Sequence, residues 1–460
     1  MTFAGWDTPL ELVKYELTQL RYEGVVVTKD LNDQVAKLAK KKEKNDMNFE
    51  AVGAIYDSLS KLKVSSSFRY DQPNNLAEIR KTRPKGPRQL ATLDTQELFN
   101  KLHGAWTGRA AGCALGKPVE GMGINGKDGV IGRKIIRSYL ENRNHWPLDH
   151  YFSGKDVGDQ LKIHCPKSHR ENITYMEPDD DIHYTLIALK ILEEYGPDFT
   201  WRHVAHTWNQ CLPYNVICTA ETQAILNYNN AVPRKAKSNW VTPEYTSSYR
   251  NPYREWIGAQ IRADGWGYAC AGNPELAAEF AYRDACWTHR ANGIYGEMMF
   301  AAIIAAAFVE SNPRELINIG LSEIPKTSRL AEATEAALDK ARSLKDFYSY
   351  MDWVEANFGE LSGVHTVNNA LVVIGAMIYG DGDFHKSVCL SVEGGWDTDC
   401  NGATCGSILG ASKGHSELDS SLVLPLNDTI KPSVIGFQKI TMTELARRMQ
   451  EVQKTILAHS

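Results

Sequence analysis

Gly394-Gly395-Trp396-Asp397-Thr398-Asp399-Cys400-Asn401-Gly402 sets two carboxylates two residues apart at the mouth of a small-residue helix, 403–411. Carboxylates this close repel one another and lose hydration unless a cation or proton compensates them, and their oxygens suit a hard divalent metal. A second acidic knot, Glu177-Pro178-Asp179-Asp180-Asp181, precedes the apolar run 182–192. It again puts carboxylates at a helix N-terminus, where the dipole favours them. Each aspartate taken alone reads as a helix N-cap. Brought together by folding, the two knots would need more than one cation, so a binuclear Mg2+ site is the expectation.

Working outward from these knots, helical signals dominate. Residues 98–115 form a predicted helix whose Gly104, Gly108, Ala110, Ala111, Gly112 and Ala114 permit very close helix contact. Glu120 follows in Lys117-Pro118-Val119-Glu120-Gly121, where a glutamate at a helix C-terminus opposes the dipole, and residue types alone favour simple exposure to water. Further helices are predicted over 182–195, stopped by Gly196-Pro197, and over 201–210, 217–228, 316–321, 329–344, 367–379, 384–392 and 444–458. Residues 274–309 read as two buried helices broken near Arg290-Ala291-Asn292-Gly293. Strand candidates are confined to 25–27 and 422–435, so the class is all-α.

Residues 1–63 carry two or three helical stripes, and 64–93 has a connector's serines, prolines and basic residues. The expected division is an N-terminal helical extension with linker, 1–93, and a main domain, 94–460. Two stretches, 121–176 and 230–254, read as long loops, and long loops inside a compact domain tend to be functional. After the second, Gly258 and Arg262 lie in a small-residue stretch that can bring backbone N–H groups and a guanidinium up to a phosphate; a surface turn fits it as well. His289 sits at the break between two helices, where a lone histidine is usually a hydrogen-bonded structural residue. Trp266 and Trp396 can stack on a base or simply fill core space.

With 460 residues, 43% of them hydrophobic and 23% charged, the chain can bury a large core. A net charge of −5 without a basic stripe argues against nucleic-acid and anionic-membrane binding. The Lys40 to Lys44 run is the one dense basic cluster and reads as a solvated helix face. The uncharged run 361–380 is long enough to span a bilayer, but Ser362, His365, Thr366, Asn368 and Asn369 make it a core helix instead. Residues 1–7 lack the build of a signal peptide, and nine cysteines without a CxxC pair argue for reduced thiols, so a cytoplasmic location is expected. The oligomeric state is not legible.

Lined up in order, these pieces resemble the ADP-ribosylglycohydrolase family over 98–411. The family's GDALG motif and the metal-site glutamate after it resemble Gly112-Cys113-Ala114-Leu115-Gly116 with Glu120. Its TDDT motif resembles Asp179-Asp180-Asp181 followed by an apolar helix, and its GGDTDT motif resembles Gly395-Trp396-Asp397-Thr398-Asp399-Cys400. Weaker echoes are its GNGxxMR loop at Gly258-Ala259-Gln260-Ile261-Arg262 and its Thr-His pair at Thr288-His289.

The resemblance implies a compact orthogonal multi-helix bundle and a Mg2+-dependent hydrolase, a binuclear glycosidase that cleaves a ribosyl bond. The expected substrate is ADP-ribose on a modified protein side chain or small molecule. It implies Glu120 and Asp180 as catalytic carboxyls and two Mg2+, or Mn2+ or Ca2+, held by Asp179, Asp180, Asp181, Asp397, Asp399, Glu120 and Cys400. It implies substrate contacts at Gly258, Arg262, His289 and Trp396, with Arg262 on the diphosphate. Three departures, Cys113 for aspartate and Asp179 and Cys400 for threonine, alter the edge of the site and bear on metal preference, because thiols are poor partners for Mg2+. Two alternatives stand: a hydrolase of nucleosides or other small ribosides, and a non-enzymatic relative with a binding or structural role.

Overall fold

Glycine at every fourth position removes the side chains that hold two helices apart, and the fold is built on that device. In the computed structural model, which describes residues 6–40, 49–231 and 240–459, the Thr95–Gly116 and Thr398–Lys413 helices lie antiparallel. Gly104 meets Gly410, Gly108 meets Gly406, Gly112 meets Gly402, and Gly116 meets the Thr398 carbonyl. A Cβ at any of these glycines would overlap the opposing backbone carbonyl, so no other residue fits. Thr398 Oγ1 closes the end of the pair by donating to the Gly116 carbonyl at 2.8 Å. The antiparallel sense carries the start of one helix, with Asp397 and Asp399, to the end of the other, with Lys117 and Glu120.

Other helices pack around this pair. Asn292–Ala307 is buried on every face and Thr366–Gly380 nearly so, which is where a helix apolar all round belongs. No helix among the described residues is long and apolar enough to cross a membrane. Asp180–Tyr195, Ala263–Ala269 and Met442–His459 pack in the same bundle.

The chain is more helical than its sequence suggests. The 121–176 stretch contains Glu120–Asn125 and Gly132–Glu141, the latter burying Ile136, Tyr139 and Leu140 on one face. Thr242 caps Pro243–Ser248 within the expected 230–254 loop, and Asn75 caps Leu76–Thr82 within the connector. Phe347–Phe358, absent from the predicted helices, starts at an Asp346 cap and buries Phe347, Tyr350, Met351 and Val354. Of the 422–435 strand candidate only Thr429–Ile430 forms, pairing antiparallel with Ile440–Thr441, and Val25 makes a single bridge to Val64. Beyond Lys40, which ends the Lys29–Lys40 helix, the Lys40 to Lys44 run lies outside the described residues.

In the extension, Pro9–Tyr22, Lys29–Lys40 and Phe49–Leu59 share a small core, including Leu12, Val13, Val52 and Ile55, that also takes in Ala220 and Tyr253. Charge fixes how it docks. Arg254 reaches Glu16 at 2.9 Å and Glu23 at 2.6 Å, and Gln19 donates to Glu255 at 2.8 Å, with all but Glu23 buried. A cavity of about 600 Å3 is walled in part by Tyr56, Tyr70, Arg250 and Arg290, away from the acidic knots. Arg254→Ala leaves two carboxylates facing each other without a cation, and breaking such a pair costs about 3–5 kcal/mol. Thermal unfolding should show that loss, together with faster proteolysis of residues 6–40.

Candidate metal centre

Each acidic side chain is placed by the first turn of a helix. Past Gly116 the chain makes one 3-10 turn, Lys117–Val119, and Glu120 opens the Glu120–Asn125 helix. Glu120 therefore stands at a helix N-terminus and is partly buried, which corrects the water-exposed reading drawn from residue types. On the facing side Gly395 and Trp396 take positive φ, +76° and +54°, a reversal that aims Asp397 back at Glu120. Asn369 Oδ1 locks that turn by accepting from the Asp397 N–H at 3.1 Å and from Asn401 Nδ2 at 2.9 Å. Trp396 N–H donates to the Gly123 carbonyl at 3.1 Å, and its ring is partly buried against the core.

Asp179 is both cap and cluster member. Its Oδ1 accepts the Asp181 N–H at 3.0 Å, while its Oδ2 pairs with Lys117 Nζ at 2.7 Å. Arg109, wholly buried, donates to the Asp181 carbonyl at 2.6 and 2.9 Å and to Asp181 Oδ1 at 3.1 Å, and pairs with Asp264 at 2.7 Å.

Among the described residues three ligand-bearing sets result, each with its atoms within 4.8 Å of one another: Glu120, Asp397 and Asp399; Asp181, Asp399 and Cys400; Cys113, Asp179 and Asp181. Asp399 and Asp181, each belonging to two sets, link them into one cluster. Asp180 joins none of the sets; it lies close enough to Asp179 and Asp399 to feel both charges, and it shares a hydrogen bond with Cys218.

The electrostatics are those of a crowd of carboxylates with too few cations. Asp399, then burial, push Glu120 up to about 9. Burial and Asp179 push Asp180 up to about 7, and the same two causes push Asp399 up to about 6. Burial lifts Asp181 and Asp397 well above the carboxylate range. Asp179 alone goes the other way: burial works to raise it, but the Lys117 ammonium overrides that and holds it below its usual value. A divalent cation answers both parts of this problem. Asp181 Oδ2, Asp397 Oδ1 and Asp399 Oδ1 are buried without a hydrogen-bond partner among the described residues, and buried acceptors left so are costly. The oxygen-rich donor set is of the kind hard divalent ions take.

Arg262 and His289 lie in a separate buried network. The Arg262 guanidinium donates to Asp284 at 2.9 Å, Glu221 at 2.5 Å, the Gly258 carbonyl at 2.8 Å and Thr288 Oγ1 at 2.9 Å, with Glu297 at 3.4 Å. Only 1% exposed and enclosed by three carboxylates, it is not presented to a diphosphate, which revises the reading made from its small-residue surroundings. Thr288 Oγ1 shares a hydrogen bond with His289 Nδ1 at 2.8 Å, and Gly258 leaves the room that Glu221 fills. Lys117, Arg109, Asp264, Glu221, Asp284 and Glu297 all shape the site, and none had been singled out from sequence. They are single charges on separate helices, without a local pattern.

The chain is an all-α bundle in which acidic helix starts are gathered into one cluster. A model of the ADP-ribosylglycohydrolase family matches residues 94–456, and the chain belongs to that family. It is similar to a solved structure described as an ADP-ribosylglycohydrolase-related protein complex, at 17% identity and a TM-score of 0.47, over 78% of this chain and 99% of that one. Among curated proteins none matches the chain.

Proposed function

We propose that the chain is a divalent-cation-dependent hydrolase of a ribosyl glycosidic bond, with ADP-ribose on a modified side chain or small molecule as its substrate class. The observation that carries this reading is the meeting of Glu120 with both acidic helix starts, residues 179–181 and 397–399, in one buried cluster. Glu120, Asp397 and Asp399 form an oxygen-only set suited to Mg2+, for which Mn2+ or Ca2+ would substitute, and the sets that meet at Asp181, with Asp179 in one and Asp399 in the other, provide for a second ion. Bound there, the cations supply charge stabilisation and an anchor for the ribose hydroxyls.

Glu120, only partly buried and facing Asp397 and Asp399, is the proposed general base for the attacking water. Asp180, poised near neutrality, is the second catalytic carboxyl. Its negative charge would stabilise the positive charge that builds on the ribose as the leaving group departs. Trp396 is the proposed substrate contact, while Arg262 acts from behind by pairing with Glu221, whose charge reaches Asp180, and His289 bonds the Thr288 hydroxyl that accepts from Arg262. Release of ADP-ribose from arginine-, serine- and acetyl-linked substrates, with and without Mg2+ and beside a nucleoside panel, tests the reading. Cleavage of nucleosides alone would move the substrate class, and no release from any of them with cation bound would end the proposal.

Cation binding should also be pH-dependent. A carboxyl whose folded pKa exceeds its unfolded value, about 4, binds its proton more tightly when folded, so ionising it costs stability. Without cation, the contributions of Asp399, Asp180 and Glu120 to stability therefore decline as pH rises through about 6, about 7 and about 9. Mg2+ competes with those protons, so the rise in Tm that it produces should grow across the same window. A Mg2+ shift that is flat with pH would mean the ion sits elsewhere.

A further inference from the structure

The cluster is not chemically uniform. One of its three sets, Glu120–Asp397–Asp399, is all oxygen, whereas the two that meet at Asp181 each include a thiol, Cys400 in one and Cys113 in the other. Both thiols are buried, Cys113 at 0% and Cys400 at 6% exposure. Asp181, common to both of these sets, and Asp399, which shares one of them, carry buried oxygens, Oδ2 and Oδ1, with no hydrogen-bond partner among the described residues. Ligand atoms around a tetrahedral ion at about 2.0–2.3 Å stand about 3.5 Å apart, so atoms already within 4.8 Å need only small side-chain rotations to share one ion.

We propose that the Asp181 side of the cluster, with Asp181, Asp399 and Cys400 as ligands and Cys113 beside them, binds a thiophilic divalent ion of the Zn2+ kind, while the Glu120–Asp397–Asp399 side takes a hard ion. This rests on the metal reading of the site given above. Mg2+ gains little from sulfur, whereas Zn2+ and Co2+ bond to thiolate and carboxylate alike, so a buried thiol at ligand distance discriminates between the two classes of ion. On binding, the Cys400 S–H bond gives way to a sulfur–metal bond and the proton leaves to solvent. No electron is transferred. The opposite side, lacking sulfur, offers no such preference.

Titration of the cation-stripped full chain with Co2+ tests this by absorption spectroscopy, because a cobalt–thiolate bond produces an intense near-ultraviolet charge-transfer band that oxygen ligands do not. The band is expected in the unaltered chain, retained in Cys113→Ser and lost in Cys400→Ser. By calorimetry Cys400→Ser should weaken Zn2+ at least about tenfold, the scale on which metal-site losses are measured, and leave Mg2+ affinity essentially unchanged. The comparison between variants matters, since Zn2+ and Co2+ bind most sites more tightly than Mg2+. Retention of Mg2+-induced stabilisation in the serine variants shows that the cluster is still folded. Co2+ binding without the band, or an unchanged Zn2+ to Mg2+ ratio in Cys400→Ser, overturns the thiophilic site and leaves the carboxylate reading standing. Binding of no divalent ion by the unaltered chain overturns both.

Discussion

Gly112→Ala is expected to abolish the folded site, while Gly121→Ala, the same methyl added nine residues on, is expected to be harmless. Both glycines are helical, so propensity alone favours alanine at either by about 1 kcal/mol. The difference lies in what the methyl meets. At Gly112 it would overlap the carbonyl of Gly402 in the partner helix, a backbone group that cannot rotate away, whereas at Gly121 its nearest neighbour is the His164 ring at 3.8 Å, an ordinary contact. Overpacking costs about 1–3 kcal/mol where side chains can give; backbone against backbone should reach or exceed the top of that range. Relief would require the two helices to separate, which carries Asp397 and Asp399 away from Glu120. Gly112→Ala should therefore lose Mg2+-dependent stabilisation as well as Tm, and retention of both would show that the glycine pairing does not set the geometry of the cluster.

The same helix pair marks how far the sequence could be read. Glycines at 104, 108 and 112 announce a close helix contact, and the small-residue helix after Asp399 has the same character, but nothing local pairs one with the other. That pairing is a fact about residues roughly three hundred positions apart. Helix starts were legible wherever a cap and an apolar stripe coincide, as at Asp179 with 182–192. The Phe347–Phe358 helix was missed because its buried positions mix aromatic and aliphatic residues, Phe347, Tyr350, Met351 and Val354, in a short run interrupted by polar ones. Glu120 was misjudged from chain order for a related reason: a single 3-10 turn separates it from Gly116, so it caps the end of nothing and begins a new helix. Arg262 shows the limit most sharply. Its neighbours Glu221, Asp284 and Glu297 come from three helices and carry no mutual spacing signal, so a guanidinium that is an internal strut looks, in sequence, like a hand held out to phosphate.

Asp399→Asn should raise the stability of the cation-free protein and at the same time remove more than about a hundredfold of its turnover, the scale of losing a group that stabilises charge at a reacting centre. Asp399 belongs to two of the three ligand sets and is the largest single cause of the raised Glu120 pKa, so its charge is the one most felt by the others. Its own value, pushed up to about 6 by burial and then by Asp179, means that ionising it in the fold opposes stability by on the order of 3 kcal/mol above that pH. Asparagine keeps the shape and discards that charge, so without cation the Tm of the variant should exceed that of the unaltered chain by a few degrees near pH 8. Added Mg2+ should then reverse the ranking, because the unaltered chain gains a compensating ion that the variant binds poorly. Crossing of the two stabilities with Mg2+ is what a carboxylate kept for cation binding requires. A variant less stable than the unaltered chain under both conditions would mean that Lys117 and Arg109 already balance the cluster, and that Asp399 is an ordinary structural acid.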